Sequence, residues 1–192
     1  MEDRRGGKTE ELLVDKRLVS YNDKLEKRDL ESIDTVVIHC TELPDVSLCR
    51  EFAERVLYES GTGNCGHFYI LRDGSCVQFA ELNRVAHHVS GHNEKSVGVE
   101  LMNRGRYPHW WRWDHQEMTQ AYTEEQYRTL AGLLRSLKKE LPGLQLLCGH
   151  SDLDERWMAA EDDQNKRVRR KVDPGPLFDW DRVCMVWVET KK

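Results

Sequence analysis

The stretch Ile33-Asp-Thr-Val-Val-Ile-His-Cys40 decides the fold, because it predicts a strand that is buried on both faces. Its centre holds three consecutive β-branched residues, and such runs are typical of inner strands in a mostly parallel sheet. The run ends in His39, and the turn-rich segment Thr41-Glu-Leu-Pro-Asp45 follows. Polar side chains at the ends of buried strands often carry the chemistry of α/β folds, since the sheet fixes them and the loops leave access. His39 is therefore a candidate site residue, with a hydrogen-bonded histidine at a strand end as the alternative.

Patterns on either side of this strand predict further strands and helices in one domain. A helix is expected to begin after Thr123, because Thr123-x-x-Gln126 forms a capping box. The remaining predicted elements are a helix over 47–60, a hairpin of strands over 67–71 and 76–79, strands over 97–101 and 144–148, and a short C-terminal helix. In the strand over 97–101, alternation separates Gly98 and Glu100 from their apolar neighbours.

Between these elements lie a long aromatic loop over 103–122 and a charged excursion over 151–172. Residues 1–31 are weakly patterned and predict an N-terminal arm, with one domain over 32–190. The predicted fold class is α/β, with a central mixed β-sheet that is flanked by helices.

Composition restricts the classes of function. The 192 residues carry a net charge of −5, which gives no overall attraction to nucleic acid. No apolar run approaches the ~20 residues that a membrane span needs, and the N-terminus leads into no apolar signal core. The six cysteines form no CxxC pair, which favours reduced thiols. A cytoplasmic location is the expectation, and the oligomeric state stays open.

Two histidines suggest a metal site. His39 and His150 each follow an apolar strand pattern, so two imidazoles at neighbouring strand ends could share a metal ion, and a carboxylate would complete three protein ligands. Five aspartates qualify by type, and spacing does not choose among them: Asp152, Asp154, Asp162, Asp163 and Asp173. A cysteine hydrolase that uses Cys40 or Cys65 with a histidine is an alternative from residue types alone.

Several distant blocks, in order, resemble the N-acetylmuramoyl-L-alanine amidases. The resemblance is strongest to the AmpD-like branch of a family that also includes phage lysozyme amidases and peptidoglycan recognition proteins, and it covers roughly residues 33–182. The blocks are Val37-Ile-His-Cys40, Gly66-His-Phe-Tyr-Ile-Leu-Arg-Asp-Gly74, Arg84-Val-Ala-His-His88, Asn93-Glu-Lys-Ser-Val-Gly-Val-Glu100, Gly149-His-Ser-Asp152 and Lys171-Val-Asp-Pro-Gly-Pro176.

The resemblance implies a zinc-dependent hydrolase of the amide between N-acetylmuramic acid and L-alanine, with one Zn²⁺ per chain. The family's metal ligands fall on His39, His150 and Asp173. Its general base falls on Glu100, which would accept a proton from water, and Lys171 would stabilise the oxyanion. Substrate contacts are expected from three further residues: His67, His88 and Asn93.

The sequence also departs from the family pattern. Gly66 stands where other branches often carry a catalytic tyrosine, which fits the carboxylate-dependent branch. The family's Ala-Trp-His is here Ala86-His-His88. The partner implied is peptidoglycan or its soluble fragments. The alternatives are a peptidoglycan-binding module without catalysis and a phage-type endolysin.

Overall fold

The stretch over 33–40 forms an inner strand, as predicted. In the computed structural model, which describes residues 12–189, this strand is β2 (Thr35–Cys40), and all six of its residues are buried. It pairs in parallel with β5 (Ser96–Leu101) on one side and with β6 (Leu146–Gly149) on the other. Its position between two strands explains the continuous apolar run, because both faces lie inside the protein.

Within the described residues, six strands form the main sheet, in the order β1-β4-β3-β5-β2-β6. Strands β3 (Phe68–Ile70) and β4 (Cys76–Gln78) form the predicted antiparallel hairpin, and β3 pairs in parallel with β5. Strand β1 (Val14–Lys16) pairs in parallel with β4. The sheet is therefore mixed, and the predicted α/β class is confirmed. The part of the predicted arm over 1–11 lies outside the described residues.

Helices cover both faces of this sheet. Helix α2 (Glu124–Glu140) begins at the predicted capping box, and with α4 (Trp180–Glu189) it buries one face. Helix α1 (Val46–Glu54) and the segment around Tyr21 and Leu25 bury the other face. None of the helices in the described part of the chain is long and apolar enough to cross a membrane.

Helix α1 ends earlier than the predicted helix over 47–60. Arg55 is extended (φ −67°, ψ 120°), and the amides of Leu57 and Tyr58 donate to the carbonyl of Thr62 in a turn. Gly63 lies against the carbonyl of Arg55, which leaves no space for a side chain there. Val56 and Leu57, which fall within the predicted helix, are exposed.

The charged excursion contains elements that the sequence did not predict. Helix α3 (His150–Leu153) directly follows β6, and β7 (Trp157–Ala159) pairs with β8 (Arg167–Arg169) in an antiparallel hairpin. This pair forms a two-stranded sheet separate from the main one. The chain then returns to the main sheet through Lys171 and Asp173, so the excursion leads directly into the candidate site.

Candidate metal centre and active site

The register of the strands brings the candidate residues into one row. His39 on β2 is the partner of Glu100 on β5, and Tyr69 on β3 is the partner of the same Glu100. Ile38 pairs with Gly149, so His150 begins directly beside His39. Because partners in adjacent strands point to the same face, these side chains converge on the α1 side of the sheet.

Three buried side chains form a group of metal-ligand type. His39, His150 and Asp173 each offer one ligand atom, and these atoms lie within 4.8 Å of one another. Oδ2 of Asp173 lies 3.1 Å from Nδ1 of His39 and 3.2 Å from Nδ1 of His150. Of the five aspartates that the sequence left open, Asp173 is the one that the structure places with the two histidines.

Unsatisfied polar atoms indicate that this group fits a cation. Nδ1 of His150 and Oδ1 of Asp173 are buried and make no hydrogen bond with any residue that the structure describes. Buried polar atoms without partners are costly, and a metal ion held by two imidazoles and a carboxylate would satisfy them. Two nitrogens and one oxygen are a donor set that zinc accepts, with a further position open.

The protonation states also suit a cation. Burial lowers the pKa of His39 to about 4, although the nearby Asp173 carboxylate opposes the shift, so the ring is neutral near pH 7. Burial alone would raise the pKa of Asp173, but the charge of Lys171 and the contacts with His150 and His39 hold it well below its usual range. Neutral imidazoles and an ionised carboxylate are the forms that bind metal ions.

Glu100 lies at the edge of this group. Its Oε1 is 4.0 Å from Nδ1 of His39, and its side chain is 15% exposed. Burial raises the pKa of Glu100 to about 8; the charge of Asp173 adds to the effect, and Lys171 opposes it. A Cβ at Gly66 would lie 2.8 Å from Cγ of Glu100, so the glycine makes room for the carboxylate.

His88 contacts His39, one of the three candidate metal ligands. Its Nδ1 lies 3.0 Å from Nε2 of His39, and its Nε2 lies 3.1 Å from the hydroxyl of Ser96. Because that hydroxyl donates its proton to the carbonyl of His92, it accepts a hydrogen bond from Nε2 of His88. Nδ1 of His88 therefore carries no proton, and it accepts from Nε2 of His39. Nδ1 of His39 then carries no proton and faces Asp173. A Cβ at Gly98 would lie 2.6 Å from the His88 ring.

The other two predicted substrate contacts are directed into the protein. His67 is fully buried; its Nδ1 accepts from the amide of Gly98, and its Nε2 lies 3.1 Å from the carbonyl of Arg84. Oδ1 of Asn93 accepts from the amides of His88 and Val89. Both side chains thus support the backbone around the site in this structure.

The alternative cysteine nucleophiles are poorly placed for that chemistry. Burial raises the pKa of the Cys65 thiol to about 12, and it raises that of Cys40 well above its usual range. A reactive cysteine needs the thiolate. The two thiols therefore behave as small buried side chains.

Some residues around the site were not singled out from the sequence. Ser96 begins β5 as an ordinary polar residue, and nothing nearby marks its bond to His88. The hydroxyl of Tyr69 accepts from the amide of Gly66, beside Glu100. The one available signal was the alternation in β5, which places Ser96 on the same face as Glu100.

Comparison with known proteins shows the family. The family model for N-acetylmuramoyl-L-alanine amidase matches residues 29–176. The chain is 34% identical over 125 residues to the 1,6-anhydro-N-acetylmuramyl-L-alanine amidase AmpD of Escherichia coli strain K12, a match that covers 60% of this chain and 54% of the relative. The chain thus spans about half the length of these curated relatives. It belongs to the N-acetylmuramoyl-L-alanine amidase family.

Solved structures share the fold. A selenomethionine AmpD crystal structure superposes with a TM-score of 0.66 at 21% identity, covering 90% of this chain and 93% of the other. The endolysin N-acetylmuramoyl-L-alanine amidase LysCS from Clostridium intestinale URNW gives a TM-score of 0.65 at 17% identity, covering 93% and 95%. The two TM-scores are nearly the same, so the fold alone does not distinguish an AmpD from an endolysin.

Proposed function

We propose that this protein is a zinc-dependent amidase that hydrolyses the bond between N-acetylmuramic acid and L-alanine. The observation that carries the proposal is the group of His39, His150 and Asp173, with Glu100 4.0 Å from His39. Membership in the amidase family supports the substrate class. A module that only binds peptidoglycan would not need buried, unsatisfied metal-ligand atoms beside a carboxyl group whose pKa is raised.

His39, His150 and Asp173 would hold one zinc ion. When bound, zinc lowers the pKa of water from ~15.7 toward ~7 and polarises a carbonyl oxygen. Glu100 accepts the proton of the attacking water and passes it to the leaving amine, a role worth about 10²–10⁴ in rate. Lys171 stabilises the oxyanion that forms on the lactyl carbonyl, worth about 3–4 kcal/mol for one well-placed donor.

Soluble muropeptides are the proposed substrates. The support is the name of the E. coli relative, an amidase of 1,6-anhydro-N-acetylmuramyl-L-alanine. Six free thiols, four of them buried, are consistent with a cytoplasmic setting in which such fragments are recycled. A wall-degrading amidase is the second candidate, because the exposed Trp113 on the aromatic loop could stack on a glycan strand.

The test compares the two substrates at equal enzyme concentration. Purified sacculi and small anhydro-muropeptides are incubated with the zinc-loaded protein, and the release of free stem peptide is followed by mass spectrometry. The proposal predicts stem peptide that begins at L-alanine, released from the fragments at least as fast as from sacculi.

Two other outcomes carry different meanings. Efficient cleavage of sacculi with little cleavage of fragments would exclude the recycling role and favour a wall-degrading enzyme. Release of D-alanine or of disaccharide in place of stem peptide would exclude the amidase.

A further inference from the structure

A buried arginine connects the end of β2 to the segment that precedes Lys171. Arg106 is fully buried, and its Nε and Nη2 donate to the two carboxylate oxygens of Glu42 at 2.7 and 2.9 Å. Its Nη1 donates to Oε1 of Gln116 and to the carbonyl of Arg169, both at 3.1 Å. Its Nη2 also donates to the carbonyl of Arg170 at 3.4 Å. A guanidinium has five N–H donors, so every donor of Arg106 has an acceptor.

Glu42 is held in an unusual backbone conformation for this contact. Its φ of +48° lies in the left-handed region, which non-glycine residues seldom adopt. The neighbouring Gly105 also has a positive φ, and a Cβ there would lie 2.6 Å from Cγ of Glu42. Such conformations persist only where the surroundings fix them. The Glu42–Arg106 pair is thus fixed by the structure of the loop that follows β2.

The segment that Arg106 contacts does not pair with the main sheet in the described part of the chain, where β8 pairs with β7 alone. Its other contacts lie within the excursion and α3: Arg169 donates to the carbonyl of Ser151, and Arg170 pairs with Asp154. Beyond β8, the amide of Ser151 donates to the carbonyl of Asp173 at 2.9 Å. The side chain of Lys171 makes no hydrogen bond or ion pair with any residue over 12–189, although its charge acts on Glu100 and Asp173. The place of its ammonium group therefore depends on the backbone that carries it.

We infer that Arg106 is a positioning residue for the amidase reaction. Its guanidinium, anchored by Glu42, fixes the carbonyls of Arg169 and Arg170 and thereby sets the course of the backbone that carries Lys171. The inference rests on the proposed function, in which Lys171 stabilises the oxyanion. A small misplacement of such a group is enough to lower turnover strongly.

Arg106→Lys is the first test, because lysine keeps the charge opposite Glu42 but has three donors in place of five. We expect kcat on muropeptide to fall about 10- to 100-fold while KM changes less than about threefold. Zinc content should stay at that of the wild type. Hydrogen exchange of the amides over 167–173 should become faster, a change that is visible without any activity. The matched control is Arg112→Lys in the same loop, where the arginine pairs with Asp114 at the surface; it should leave kcat and exchange unchanged.

A double-mutant cycle separates positioning from a general structural effect. In a Lys171→Ala background, Arg106→Lys should cost less than about threefold in kcat, because the group that it positions is gone. Should Arg106→Lys fail to fold, the double variant Glu42→Gln, Arg106→Met removes both buried charges together and still lacks the donors to the two carbonyls. Its expected loss of kcat is the same.

The results that would contradict this inference differ from those that would contradict the proposed function. Unchanged kcat and unchanged exchange in Arg106→Lys, or equal losses in both backgrounds of the cycle, would overturn the inference alone. A zinc-loaded wild-type protein without amidase activity would overturn the proposed function and, with it, the inference.

Discussion

The carboxyl group of Glu100 combines two properties that a general base needs. It lies in the row that carries His39, and its pKa is raised by burial and by the charge of Asp173. A bound cation would lower that pKa again, because it favours the ionised form. A carboxyl group between these opposing influences can accept a proton and then release it near neutral pH, as the proposed function requires of Glu100.

Glu100→Gln is expected to separate binding from chemistry. The amide keeps the shape that Gly66 accommodates but cannot accept the proton, so kcat should fall at least ~100-fold. Zinc content, measured by elemental analysis, should match the wild type. The exposed Glu94→Gln serves as the control and should leave turnover unaltered. Turnover near that of the wild type in Glu100→Gln would mean that the base is another residue.

His67 gives the stability of the protein a dependence on pH. Burial, together with the charge of Arg28, lowers the pKa of His67 to about 3 from the value of 6.5 expected in the unfolded chain. Between these pH values the unfolded state binds more protons than the folded state. The stability that the neutral ring contributes is therefore complete above pH 6.5 and is lost as the pH falls toward 3.

His67→Gln should weaken this dependence. The free energy of unfolding, from urea titrations between pH 7 and pH 4.5, should fall less steeply in the variant by up to about 1.4 kcal/mol per pH unit. The exposed His109→Gln provides the reference and should keep the wild-type slope. Parallel curves for wild type and His67→Gln would show that the ring titrates normally in the folded state.

Some of the candidate site residues could be predicted from the sequence, and others could not. His39 and His150 could be singled out because each ends an apolar strand pattern, and Glu100 because strand alternation separates it from its apolar neighbours. Asp173 was one of five carboxylates until resemblance ranked it first. Arg106 gave no signal, because its acceptors are up to 64 positions away and become neighbours only when the loops fold.

At the scale of elements, local signals predicted the starts of helices better than their ends. Thr123 and Gln126 make both bonds of the capping box, so α2 begins where the sequence predicts. Helix α1 ends early because the segment after Glu54 packs through Gly63, a contact with no local signature. The β7–β8 hairpin was missed because its short strands are largely exposed, so no apolar pattern marks them.

The cap of α2 should be measurable as stability alone. The hydroxyl of Thr123 accepts from the amide of Gln126 and donates to the carbonyl of Arg72. Thr123→Ala should therefore lower the free energy of unfolding by about 1–2 kcal/mol, with kcat preserved. The exposed Thr119→Ala should change stability by less than about 0.5 kcal/mol. A loss no larger in Thr123→Ala than in Thr119→Ala would contradict this account of the cap.

For the whole molecule, metal binding and folding should be linked. The ligand candidates come from three distant parts of the chain, so the unfolded state has no comparable site. Zinc at 100 times its Kd should stabilise the fold by about 2.7 kcal/mol, and a chelator should lower Tm by about 5–10 °C.

Differential scanning calorimetry with and without chelator checks this expectation. Asp173→Asn, which keeps the shape of the side chain but removes the charged ligand, should make Tm nearly insensitive to chelator. An equal Tm for the zinc-loaded and the chelated wild type would contradict a metal site in the folded protein.

The pairing of His39 with Glu100 across β2 and β5 has a consequence for folding fidelity. Successive residues of a strand face opposite sides of the sheet, so a slip of one position would turn His39 toward α2 and leave Glu100 beside Cys40. Such a misaligned sheet could bury nearly as much apolar surface, because Val36, Val37 and Ile38 give both faces of β2 apolar side chains. A bound zinc ion would distinguish the two alignments, since only the native one brings His39, His150 and Asp173 together. The measured affinity for zinc would therefore also report whether β2 and β5 are correctly aligned.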